Sequence, residues 1–169
     1  MVYISQYESP LGNILIAADD IGITGLWFEG QKYFASNLKN EVEKETNIIK
    51  EAKRWLQIYF SDGKPDFTPP LHLIGTDFQH DVWQILLEIP YSFCITYNDI
   101  ARKIALKRNI LKMSAQAVGK AVSHNPISII VPCHRVIGSD GSLTGYAGGF
   151  FRKKYLLDLE KRKYKKINA

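Results

Sequence analysis

The run Ser61-Asp62-Gly63-Lys64-Pro65-Asp66, followed one residue later by Thr68-Pro69-Pro70, constrains this chain more than any other feature. Proline fixes φ and lacks an N–H donor, so neither a helix nor a central strand passes through such a stretch. Residues 61–76 are therefore the candidate linker, and they divide the chain into an N-terminal and a C-terminal part. The two parts differ in charge: residues 1–74 carry 7 Lys+Arg against 10 Asp+Glu, net −3, and residues 75–169 carry 15 against 7, net +8. A basic half suits a polyanion such as nucleic acid and equally suits a solvated basic face; charge alone does not decide between them.

Before the linker the pattern is β-type. Tyr3-Ile4-Ser5-Gln6-Tyr7 and Asn13-Ile14-Leu15-Ile16-Ala17 flank Ser9-Pro10-Leu11-Gly12, which carries turn chemistry, and read as a hairpin. Ile23-Thr24-Gly25-Leu26-Trp27-Phe28 supplies a third strand, giving an antiparallel meander. Ile48, Ala52, Trp55, Leu56 and Tyr59 then recur at three- and four-residue steps, the stripe of an amphipathic helix over 44–60 that covers one face of the sheet.

After the linker the pattern is helical. Thr76 and Gln79 form a capping-box signature ahead of Phe78, Val82, Ile85, Leu86 and Ile89, with Pro90 as the stop. Thr96-Tyr97-Asn98-Asp99 opens a second helix, with Ile100 and Ile104 on its apolar side. Ser114 caps a third, with Ala117, Val118, Ala121 and Val122 inward and Asn125-Pro126 at its end. Two short helices in a basic region suit a helix-turn-helix, although the segment 105–113 between them is long for that motif's turn. Ile127-Ser128-Ile129-Ile130-Val131 reads as a buried strand ending at Pro132-Cys133-His134-Arg135-Val136.

Two cysteines are too few for a disulfide framework, and His72, His80, His124 and His134 are scattered, so no metal and no cofactor is expected. A thiol at a strand end beside a basic side chain is a candidate for a depressed pKa and for nucleophilic work, though on its immediate neighbours alone Cys133 is more often a small buried core residue. Cys94, between Phe93 and Ile95, is assigned to the core. The Gly-rich loop Gly138–Gly149, with Tyr146 near its end, suits close backbone approach to a flat ligand and equally a hairpin leading into a helix. A composition of 46% hydrophobic and 23% charged residues excludes a disordered, collagenous or coiled-coil chain. No stretch nears the roughly 20 apolar residues of a membrane span. Met1-Val2-Tyr3-Ile4-Ser5 has no basic and then apolar leader, so the expectation is a reducing, cytoplasmic setting with no membrane partner.

Together, Asn125-Pro126, Pro132-Cys133-His134-Arg135-Val136 and Gly145-Tyr146-Ala147-Gly148-Gly149 resemble the active-site signature of the O6-alkylguanine-DNA alkyltransferases, the methylated-DNA–protein-cysteine methyltransferases. The likeness extends through Ile89-Pro90-Tyr91, Thr96-Tyr97, Ala117-Val118-Gly119 and Leu156-Leu157-Asp158-Leu159-Glu160. It is looser before residue 75, resting on Ser9-Pro10-Leu11-Gly12 and the meander. It implies an α/β (α+β) protein. Residues 1–74 would form a ribonuclease-H-like sheet-and-helix domain. Residues 75–169 would form a mostly helical, winged-helix-like domain that holds the helix-turn-helix, binds DNA and accepts the alkyl group.

The resemblance also implies a monomer that repairs double-stranded DNA. It would move the alkyl group of O6-alkylguanine, and of O4-alkylthymine, irreversibly to Cys133, once per chain. His134, working through a water and oriented by Glu160, would be the base that makes the thiolate, in line with triad logic. Tyr97 would donate to N3 of the departing guanine and the Ala147 N–H would meet O6. The carbonyls of Cys133 and Val136 would accept from the exocyclic amine, with Tyr146, Asn125 and Arg135 completing the substrate site. The damaged nucleotide must be flipped out of the duplex. Gln116, Ala117, Gly119, Lys120, Ala121 and Ser123 would face the DNA, the small residues allowing a close approach.

Two departures from the family pattern stand out. Gln116 occupies the position of the family's intercalating arginine and brings no charge. The segment 105–113 is longer than the usual turn, and its Lys107, Arg108 and Lys112 either meet phosphates or form a solvated insertion. A non-catalytic DNA-binding module is the rival reading, and it gives no reason for a thiol at Cys133. A cysteine hydrolase is a weaker rival, since Pro-Cys-His-Arg brings no recognisable oxyanion hole.

Overall fold

The computed structural model describes residues 1–61 and 63–167, a mixed α/β chain. It divides into two compact units, one comprising Met1–Ile74 with Pro126–Ser128 and the other the remainder from Gly75 onward.

In the first unit β1 (Val2–Ser9), β2 (Gly12–Ala18) and β3 (Ile23–Phe28) form the expected antiparallel meander. The β1–β2 turn closes because Ser9 Oγ accepts the Leu11 N–H at 3.1 Å and donates to the Gly12 carbonyl at 2.6 Å. Gly12 sits at φ 103°, open only to a residue without Cβ. One edge departs from the antiparallel expectation: β4 (Glu41–Glu43), a short exposed strand, pairs with β1 in parallel, giving the order β3-β2-β1-β4.

Helix α1 (Asn47–Phe60) starts at Thr46, whose side chain accepts from the Ile49 N–H, so its buried stripe is led by Ile49 instead of Ile48 and continues through Ala52, Trp55, Leu56 and Tyr59. With Ile14, Ile16, Leu26, Trp27 and Phe28 these form the unit's core. Each of the buried Ile, Leu and Phe side chains contributes roughly 1.5–3 kcal/mol by burial. The breaker-rich stretch is not a free linker throughout. Its end lies along β3, with the Ile23 N–H on Pro70 O at 2.8 Å and the His72 N–H on Ile23 O at 2.7 Å. A Cβ at Gly22 would come within 2.7 Å of that Pro70 oxygen, so this approach requires glycine.

The second unit opens on α2 (Asp77–Leu87), with the Thr76/Gln79 capping box formed as expected. Helix α3 (Tyr97–Lys107) carries the equivalent box on Thr96 and Asp99, and α4 (Ala115–Ser123) is capped by Ser114. Val82, Trp83, Leu86, Ile100, Ile104, Val118 and Val122 are the buried apolar faces of this trio, and the Trp83 indole N–H donates to the Ala121 carbonyl at 2.9 Å. Because α3 runs to Lys107, part of the long 105–113 segment is helix. Lys107 and Arg108 are ion-paired to Asp81 of α2, at 2.7 and 2.9 Å.

The run 127–131 is buried as expected but is not a strand. It turns, with Ile129 at φ 69°, because a segment held between Pro126 and Pro132 has no ladder to join beyond one bridge from Ile127 to Leu26. A single 3-10 turn, Cys133–Arg135, comes next, and then β6 (Val136–Ile137), which pairs in parallel with β5 (Ile95–Thr96). The closing helix is α5 (Phe150–Ile167). No described helix is long and apolar enough to cross a membrane.

Candidate active site

Cys133 begins the 3-10 turn and is buried, 4% exposed. Asn125, just past the end of α4, uses its one amide nitrogen twice: Nδ2 donates to Val131 O at 2.9 Å and to Cys133 Sγ at 3.1 Å. Asn125 thereby closes the 125–131 turn and holds the sulfur at its end. Burial pushes the Cys133 thiol up to about 11, against the opposing pull of the Asn125 amide, the Lys153 ammonium and backbone N–H groups. The depressed pKa suggested by the neighbouring basic residues is therefore not found in the resting protein, since desolvation of the charged form outweighs those donors.

The residues just after Cys133 face α5. His134 and Glu160 are both fully buried, with His134 Nε2 2.5 Å from Glu160 Oε2. Arg135 grips the same carboxylate with Nε on Oε1 at 2.8 Å and Nη2 on Oε2 at 3.2 Å, and sends Nη1 to the Ile89 carbonyl at 2.9 Å. The Ser92 N–H adds a further donor to Oε1 at 3.1 Å, aimed there by a left-handed backbone at φ 69°. Burial works against the Glu160 charge, yet His134 and Arg135 hold its carboxyl well below the usual carboxylate range. Burial likewise pulls His134 below its ordinary value, with Glu160 opposing. An ionised Glu160 only accepts, so Nε2 carries the imidazole proton and Nδ1 is left as the basic nitrogen.

Tyr97, the first residue of α3, donates its hydroxyl to Thr144 O at 3.0 Å, and burial raises that hydroxyl to about 12. Gly145 makes room for it, whereas a side chain at Gly119 would reach only ordinary contact. A Cβ at Gly145, which sits at φ 85°, would lie 2.7 Å from the Tyr97 oxygen, and one at Gly119 of α4 would touch the ring at 3.8 Å. Tyr146 is buried against Gly148, where a Cβ would come within 2.5 Å of its ring, and Ala147 between them is half-buried. The Val136 carbonyl accepts a hydrogen bond from Lys153.

Of the α4 residues expected at a nucleic-acid face, Gln116 and Lys120 are exposed, and Ala117, Gly119 and Ser123 are half-buried. Ala121 does not join them. It is 4% exposed on the inner face, where its carbonyl takes the Trp83 indole. Cys94, assigned to the core from its apolar flanks, is exposed, because Phe93 beside it packs edge-on against Tyr164 at the surface instead of turning inward. Among the described residues no three His, Cys, Asp or Glu side chains gather as a metal site.

Lys153 and Ser92 carry no motif that marks them as site residues in the sequence. The available signal was on α5, where Lys153, Leu156, Glu160 and Lys163 recur at three- and four-residue steps and are all buried, a stripe with charges where an apolar one is sought.

Comparison with known proteins covers nearly the whole chain. The family model for the 6-O-methylguanine DNA methyltransferase ribonuclease-like domain matches residues 2–73, and that for the DNA binding domain of the same proteins matches residues 77–162. A methylated-DNA–protein-cysteine methyltransferase of Methanosarcina acetivorans is 43% identical over 94% of this chain and 98% of its own length. The constitutive one of Bacillus subtilis is 39% identical over 98% and 99%. Among solved structures, Mycobacterium tuberculosis OGT in complex with DNA superposes with a TM-score of 0.84 at 39% identity, covering 95% of this chain and 94% of that one.

Proposed function

Since the chain belongs to the 6-O-methylguanine DNA methyltransferase family, we propose that Cys133 is the thiol on which it takes the alkyl group during repair of O6-alkylguanine in duplex DNA. The reaction class is DNA repair by transfer of an alkyl group to a cysteine of the protein itself. The bond between O6 and the alkyl carbon breaks, a sulfur–carbon bond forms and guanine is restored. The thioether has no route back, so each chain acts once.

The observation that carries this reading is the buried Cys133 sulfur held by Asn125, with a buried His134–Glu160 pair in the next position of the same turn. A thiol at about 11 needs a base, and His134 suits it: burial keeps the ring neutral, Glu160 fixes its tautomer, and Nδ1 receives the Cys133 proton through a water. The guanine leaving group requires a proton or a strong donor. Tyr97, kept protonated at about 12, swings from Thr144 O to N3. The Ala147 N–H meets O6, the carbonyls of Cys133 and Val136 accept from the exocyclic amine, and Tyr146 lines the pocket. The Arg135 side chain serves differently from the expectation: its guanidinium is engaged by Glu160 and Ile89, so it holds the carboxylate and does not meet the base.

On the DNA side, Gln116 and Lys120 of α4 meet the duplex, with Ala117, Gly119 and Ser123 permitting close approach, while the target nucleotide is flipped out. That the Mycobacterium tuberculosis relative was solved in complex with DNA supports DNA as the partner. Residues 75–169 would then be the DNA-binding and alkyl-acceptor domain and 1–74 the ribonuclease-like one. The protein would act as a cytoplasmic monomer and also take O4-alkylthymine. Incubation with a duplex bearing a radiolabelled methyl on guanine O6 tests the assignment. Label should pass to the wild-type protein and not to Cys133→Ala, with duplex binding retained by both; label on Cys133→Ala overturns it.

A further inference from the structure

Lys153, on the first turn of α5, has no exposed surface at all, and the alkyl transfer assigned to Cys133, His134 and Tyr97 makes no use of it. Its ammonium donates to the carbonyl oxygens of Val136 and, at 3.3 Å, Thr144, and stands 5.9 Å from the centre of the Tyr97 ring. Tyr97 donates to the same Thr144 oxygen. Lys153 therefore joins the strand after the cysteine turn to the Gly-rich loop that Tyr97 also contacts. Among the described residues it has no carboxylate partner, since Glu160, on the same helix, is engaged by His134, Arg135 and Ser92. Burial pulls the Lys153 ammonium below its ordinary value, and the negative charges that oppose this are those of the Cys133 and Cys94 sulfurs when ionised. A buried ammonium is costly unless paired, and two carbonyl dipoles compensate it only partly.

We propose that Lys153 is a positioning residue for alkyl transfer: it clamps the Val136 and Thr144 carbonyls, and it provides the positive charge that the Cys133 thiolate meets as it forms. The inference rests on Cys133 as the acceptor. It makes the buried charge complementary to a state that exists only while the sulfur is ionised, which is how a preorganised charge favours a reactive species. The other titratable or charged groups coupled to Cys133 or to its base are Tyr97, His134, Glu160 and Arg135, and none of them is a cation free of a carboxylate.

The deciding readout, alkylation of Cys133 by a small reagent, uses no DNA, so its failure is distinct from failure of the acceptor assignment. In a Cys94→Ser background, the rate of iodoacetamide alkylation at Cys133 is followed against pH by peptide mass, for wild type, Lys153→Met and Lys153→Arg. Lys153→Met should shift the profile to higher pH by about one unit, a tenfold loss of thiolate, with single-turnover transfer slowed to match and duplex affinity unchanged. Lys153→Arg should recover most of the shift. A folded Lys153→Met with the wild-type profile overturns the proposal. Should Lys153→Met not fold, the reciprocal measurement decides, because coupling between two sites is mutual. The Lys153 Nζ resonance should titrate at lower pH in Cys133→Ser than in wild type, and identical titrations overturn the proposal.

Discussion

Glu160→Gln removes one charge and little else, and the structure sets the consequence. The carboxylate accepts from His134 at 2.5 Å, from Arg135 at 2.8 and 3.2 Å, and from the Ser92 N–H at 3.1 Å, with none of its surface exposed. Glutamine keeps one acceptor oxygen and turns an NH2 toward these donors. The Arg135 side chain, 10% exposed, is left as a buried cation without a counter-charge. Removing one member of a buried pair costs about 3–5 kcal/mol. At about 2–4 °C per kcal/mol for a chain of this size, the melting temperature falls by roughly 6–20 °C at neutral pH.

The pH dependence has a definite sign. Glu160 is held below its ordinary value of 4.5, so its contribution is fully present above that pH and drains away as pH falls below it toward the folded value. The gap between wild type and Glu160→Gln should therefore narrow in acid. Thermal unfolding monitored by helix ellipticity reads this, since four of the five α-helices among the described residues belong to the second unit. Equal melting temperatures at neutral pH, or a gap that acid leaves untouched, would refute the reasoning.

The same geometry sets three further outcomes. His134→Gln and Glu160→Gln should each slow single-turnover transfer, and the double variant should lose little more than the worse single one, because Glu160 acts by fixing the His134 tautomer; multiplicative losses contradict this. Affinity for undamaged duplex should fall steeply with salt, and Lys120→Ala should flatten the log–log slope by about one, whereas Lys107→Ala and Arg108→Ala should change it less, since Asp81 already holds both cations. Gln116→Arg should speed repair of paired substrate by roughly fivefold, equivalent to about 1 kcal/mol, and leave an already unpaired lesion nearly unchanged; equal effects on both would remove Gln116 from the flipping step.

Local chemistry was readable from the residues wherever the signal was itself local. Thr76 with Gln79 and Thr96 with Asp99 announce their helix starts because both halves of a capping box lie within four residues. The strands of the meander were legible as short runs of β-branched and aromatic residues set off by turn residues. The run 127–131 could be read as buried but not as turned, since a wholly apolar stretch carries no period to tell strand from turn, and the left-handed Ile129 leaves no mark in composition. Strand β4 is three exposed residues without pattern. In the site, the Cys133–Val136 motif and its glycines were evident. The resting thiol's high pKa and the burial of Lys153 were not, because each is set by how completely the packed unit excludes water from the group, which its neighbours in sequence do not announce.

The central claim is tested most directly by intact-protein and peptide mass measurement after incubation with excess O6-methylguanine duplex. One methyl group per chain should appear and no second one on longer incubation, carried by the peptide containing Cys133, with the exposed Cys94 unmodified. Methyl on Cys94, or an unchanged protein mass beside repaired DNA, would contradict the account.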